Sequence, residues 1–122
     1  MTMDRPLALF AALSGAMAVA LGAFAAHGAG PQMKSLLTTG AHYQGLHAVF
    51  ALVCASAGRP ALVGIAGWAG AAGGLIFALA LSAIAVLDLS AIGVVAPVGG
   101  LLMIAGWLIL AVAILRPAPH QS

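Results

Sequence analysis

Four histidines, one tyrosine and one cysteine stand out in a chain of 122 residues that holds no glutamate and only two acidic residues, Asp4 and Asp88. Three of the chemically able side chains fall close together in "HYQGLH", residues His42 to His47. On a helix turning about 100° per residue, Tyr43 and His47 lie about 40° apart and Gln44 about 60° from His47. The three share one face, which Phe50 and Cys54 continue, while His42 points away toward headgroups or water. A neutral imidazole or amide in apolar surroundings needs a partner. His27, Tyr43, Gln44, His47 and Asp88 are therefore the candidate polar cluster.

Three chemistries compete for that cluster. His47 and Gln44 could hydrogen-bond between helices and hold them together. The group could bind a quinone or lipid headgroup, or relay protons, as ionisable residues inside membranes often do. A metal held by His27 and His47 is a third reading. No metal is expected, because metal sites take three or four ligands at recognisable spacing. No cofactor is implied by any motif. Enzymatic function is not expected either. There is no nucleophile with a positioned base and no glycine-rich phosphate loop. A proton-driven exporter would need a carboxylate in the membrane, and both aspartates sit at membrane edges.

The elements that must place these residues follow from composition. The chain is 64% hydrophobic and 5% charged, far below the roughly 25% charge of soluble domains. Long apolar runs at Leu7–Ala26, Gly40–Ala57, Ala61–Leu87 and Ala96–Leu115 each approach or exceed the roughly 20 residues that cross a bilayer. The expected fold is an all-α, four-helix integral membrane bundle in one domain. Arg5 before an apolar run resembles a secretion signal, but about 7–15 apolar residues is the usual signal core. The first run is longer and reads as a retained span. "HGAGPQMKS" (His27–Ser35), "GRP" (Gly58–Pro60) and "DLS" (Asp88–Ser90) read as connections.

Arg5, Arg59 and Arg116 fall on one side of such a chain and Lys34 on the other. The positive-inside rule then places both termini in the cytoplasm and the polar cluster near the extracytoplasmic face. The scattered charge offers no nucleic-acid footprint. Small residues at every fourth position mark helix contacts: Ser14, Ala18, Gly22 and Ala26 on the first helix, and Ala66, Gly70 and Gly74 on the third. Trp68 and Trp107 read as packing residues at matching depth. Pro97 suits the first turn of the fourth helix, followed by Gly99 and Gly100.

"GAFAAHG" (22–28), "TTGAHYQGLHAV" (38–49) and "APVGGLLMIAGW" (96–107) resemble the motifs of a small membrane family filed as domain of unknown function 423, related to eukaryotic transmembrane protein 256. The resemblance implies a four-helix protein of the bacterial inner membrane with no established activity. It falls on Gly22, Phe24, His27, Gly28, Gly40, Tyr43, Gln44, His47, Pro97, Gly99, Gly100, Gly106 and Trp107. The family pattern commonly has glycine where this chain has Ala25. Its third helix often resembles "FSGSLY" where this chain reads "FALALS" (Phe77–Ser82). The expected function is that of an accessory or assembly partner of a larger membrane complex, in contact with lipid and with other subunits or copies of itself. The competing expectation is a ligand-binding or proton-relay module.

Overall fold

The computed structural model describes residues 2–57 and 61–117. Among them are four α-helices and no strand: α1 (Arg5–His27), α2 (Pro31–Ser56), α3 (Ala61–Leu87) and α4 (Ala96–Leu115), with a short 3-10 helix at Ser90–Val94 before α4. Three segments are long and apolar enough to cross a membrane: Arg5–His27, Ala61–Leu87 and Ser90–Leu115. α2, expected as a fourth crossing, is more polar and is not among them.

Local chemistry sets the helix ends. Asp4 caps α1, its carboxylate accepting a hydrogen bond from the Leu7 backbone N–H at 3.2 Å, and Pro6 sits in the first turn, where a missing N–H is not needed. Gly28 closes α1 by donating its N–H to the Phe24 carbonyl. The chain then needs only Gly28–Gly30 to turn, because α2 begins at Pro31 rather than at Gly40. The run "PQMKSLLTT" is too polar to read as a span, but proline at N1 pre-sets the helical φ and nothing after it breaks the helix. At the other end of the chain's path, Asp88 takes φ 54° to leave α3. Aspartate is one of the few non-glycine residues that visits this left-handed region. The "GRP" connection lies outside the described residues.

Contacts between helices run in opposite directions along each pair. Gly15 faces Ala48, Ala18 faces Gly45, and Gly22 faces Ala41, so α1 and α2 are antiparallel over most of their length. The Asp4 N–H reaches the Ala55 carbonyl at 2.9 Å and ties their ends. α3 is the central helix, packed on α2 by one side and on α4 by the other, while α1 lies chiefly on α2. Arg5 and Arg116 consequently share one end of the bundle, and Lys34, His27 and Asp88 the other.

Glycine makes the α3–α4 contact possible. A Cβ on Gly73 would sit 2.7 Å from the Gly99 carbonyl oxygen and from the Met103 nitrogen. One on Gly99 would meet the Phe77 nitrogen at 2.7 Å, and one on Gly106 the Ala66 oxygen at 2.9 Å. The backbones touch, the mode of association open to helices in lipid, where leucine gains nothing by leaving the hydrocarbon. On its other side α3 lays Gly70 under the Phe50 ring and Gly74 against His47 and Gln44. The apolar core at the Arg5 end gathers Leu7, Ala11, Phe50, Ala51, Cys54 and Val63.

Candidate functional site

The five candidate polar residues do not form one cluster. Gln44 and His47 are buried, at 0% and 4% exposure, whereas Tyr43 is 42% exposed and His27 and Asp88 lie on the surface at one end of the bundle. Because α2 begins at Pro31, His47 is about 24 Å along its helix, far below that end. The buried pair belongs to the interior of the bundle rather than to its rim.

His47 links two helices. Its Nε2 lies 3.0 Å from the Trp107 indole Nε1 of α4, and its Nδ1 lies 2.7 Å from the Tyr43 carbonyl one turn back. An indole N–H can only donate and a carbonyl can only accept. The two partners together therefore select one form of the ring: neutral, with the proton on Nδ1. The Nδ1–H donates to Tyr43 and the Nε2 lone pair accepts from Trp107. Phe50 completes the arrangement, its ring centroid 4.3 Å from that of Trp107 and 6.1 Å from that of His47.

Gln44 bridges to the other side. Its Nε2 donates to the Ser14 hydroxyl of α1 at 3.2 Å, and its Oε1 has no partner among the described residues. That half-satisfied amide makes a clear asymmetry. Ser14→Ala removes the amide's sole partner and should destabilise the bundle by about 1–3 kcal/mol. Gln44→Leu removes both the bond and the unpaired oxygen, and leaves the serine hydroxyl free to bond a carbonyl of its own helix. It should be close to neutral in the same SDS-titration unfolding measurement. Equal losses in the two variants would refute this account.

Of the remaining site residues some pack between helices and others, including Ala26 of the expected α1 stripe, do not. Ser14 and Ala18 are buried, Gly22 is half-buried against Ala41, and Ala26 is exposed. Gly70 and Gly74 admit the α2 side chains. Pro97 sits exposed in the first turn of α4, Gly99 is pressed against α3, and Gly100 has nothing within 4 Å. Tyr43 packs edge-on against Phe77 and His42. Trp68 and Trp107 part company: Trp68 packs on Phe10 of α1 and Trp107 on Phe50. Among the described residues no three His, Cys, Asp or Glu side chains gather as a metal site would require.

Two partners were hidden in the sequence. Ser14 read as one more small residue of a contact stripe, and Trp107 as bulk. A signal for the second exists: His47 and Trp107 each stand about 12–14 Å from the same end of the bundle, counted along their helices.

An all-helical bundle with apolar spans, glycine-mediated contacts and interior polar links defines a multi-pass membrane protein. The chain belongs to the family described as protein of unknown function DUF423, whose pattern matches residues 21–100. It is 34% identical over 120 residues to the UPF0382 inner membrane protein YgdD of Escherichia coli K12, covering 93% of this chain and 92% of that one. It is 32% identical to a UPF0382 membrane protein of Staphylococcus epidermidis, covering 88% of this chain and 93% of the relative. To the UPF0382 membrane protein YwdK of Bacillus subtilis it is 30% identical, at 88% and 94% coverage. No solved structure matches the chain. The protein is thus a bacterial inner-membrane protein of this family.

Proposed function

We propose that the chain is a non-enzymatic helical subunit that acts as an accessory or assembly partner of a larger membrane complex. The observation that supports this reading is the engagement of both ring nitrogens of His47. The imidazole that could have handled a ligand or a proton instead bonds Trp107 and the Tyr43 carbonyl. Gln44 likewise bonds across to Ser14. These links hold α1, α2 and α4 in register, and rigid helical surface is then what the molecule offers to others. The turn between α1 and α2 is three residues long, Gly28–Gly30, which leaves little there for a soluble active site.

The test is purification in mild detergent at native expression. Membrane subunits that co-purify in fixed stoichiometry would support the accessory role. Recovery of the chain alone, or with a bound small molecule in place of protein, would overturn it.

A further inference from the structure

Thr39, His42, Leu46, Val49, Val53 and Ser56 form the outer face of α2, and all are exposed. They recur every three or four residues over about 25 Å of helix. The face lies at membrane depth, because α2 packs alongside α1 and α3, both long and apolar enough to span. Leucine and valine there can simply meet lipid. The two hydroxyls are satisfied within their own helix: Thr39 donates to the Ser35 carbonyl at 3.0 Å and Ser56 to the Leu52 carbonyl at 2.8 Å. His42 is the exception. Its ring makes no hydrogen bond among the described residues.

The ring also stands below the headgroup region. Because α2 begins at Pro31 rather than at Gly40, His42 is about 16 Å from that end of the helix and about 12 Å from Lys34. Ala41, next to it, faces Gly22 of α1, whose apolar run continues through Ala26. Gly40 meets Ala78 of α3, and α3 runs on to Leu87, about 13 Å further. Among such apolar surface an unpaired imidazole is costly. A lipid tail offers it neither donor nor acceptor.

A second copy of the chain meets the need with no further ingredient. A neutral imidazole carries one donor and one acceptor, so it complements itself. Two chains inserted the same way and related by a two-fold axis along the membrane normal present one patch to itself. Their α2 helices then run parallel, and His42 meets its own copy at equal depth. A different subunit would have to supply a matching group at that level. A single polar residue in an apolar helix seam is also a known means of fixing register and strand number.

We propose that a second copy packs on the exposed face of α2 about such an axis. One His42 ring donates its N–H to the free ring nitrogen of the other, and Leu46, Val49 and Val53 continue the seam below.

The test begins with the full chain in bacterial membranes, with Cys54, its one cysteine, changed to alanine. Under copper-phenanthroline oxidation, Leu46→Cys and Val49→Cys should give strong disulfide-linked dimers. Leu101→Cys and Leu108→Cys, exposed on α4, should give weak ones. The second measurement is sedimentation equilibrium of the purified chain in mild detergent. His42→Leu should weaken dimerisation about ten-fold at equal helicity, the scale of one interhelical hydrogen bond in apolar surroundings. His42→Gln, whose amide again holds a donor and an acceptor, should keep it within about three-fold. Neither measurement needs another subunit, so failure here leaves the accessory role standing. A monomer at every concentration would overturn the proposal. So would cross-links on α4 as strong as those on α2, a different protein captured at Leu46→Cys, or leucine and glutamine variants of His42 that behave alike.

Discussion

Gly73→Ala is expected to separate α3 from α4 and lower bundle stability by about 2–3 kcal/mol, the upper part of the usual range for overpacking. The added methyl would lie 2.7 Å from two backbone atoms of α4, the Gly99 oxygen and the Met103 nitrogen. Backbone cannot turn aside as a side-chain tip can, so the helices must move apart. Moving apart also loosens Gly99 from Phe77 and Gly106 from Ala66, since the same close approach serves all three. In lipid no gain of hydrophobic burial offsets the lost contact. Helix propensity offsets part of that loss, because alanine is about 1 kcal/mol better than glycine in a helix. Gly15→Ala is the matched control. There the methyl meets only Ala48 at 3.7 Å, and stability should hold or rise by up to about 1 kcal/mol. SDS-titration unfolding followed by circular dichroism reads both. Equal responses would mean that the α3–α4 backbones do not touch.

The second large effect concerns His47. His47→Leu should destabilise the bundle by about 1–3 kcal/mol, the cost of leaving a hydrogen-bond partner unmade. Most of that loss should come from the Tyr43 side and from packing on Gly74, since Trp107 is 46% exposed and its N–H can find other acceptors. Trp107→Phe keeps an aromatic ring beside Phe50 and removes the donor. It should cost less, about 1 kcal/mol. The double variant then separates the pair. If the bond holds α2 to α4, the two losses together should exceed the loss in the double variant, because residues in one network couple. Strict additivity would show that the 3.0 Å contact carries no stabilisation. The same variants bear on the competing relay reading. A retained proton-linked signal in His47→Leu would exclude this imidazole as its carrier.

Much of the fold can be read from the residues in order. Apolar runs longer than a membrane crossing announce spans, because no soluble chain could disperse them. Asp4, Pro6, Gly28 and Pro97 mark helix ends by chemistry local to each position. The start of α2 was harder. Hydropathy reports where a helix meets lipid, whereas Pro31 begins a helix whose first turns are polar and mostly exposed. The polar face of Tyr43, Gln44 and His47 was visible from the helical period alone, but periodicity does not give depth or partners.

What the sequence by itself determined is therefore the class of protein, its helical spans, their small-residue character and the residues that could not be left alone in hydrocarbon. Those properties depend on composition and on neighbours within a helix turn. The tertiary structure decided which of those residues meet. Ser14 answers Gln44 from thirty residues away and Trp107 answers His47 from sixty, distances along the chain over which no local pattern carries information. It also divided the glycines into two kinds, those pressed against a neighbour's backbone, such as Gly73, Gly99 and Gly106, and those in ordinary contact or none, such as Gly15, Gly45 and Gly100. That division turns on which helix lies opposite, and a glycine is the same residue in the sequence whether a backbone or a lipid will face it.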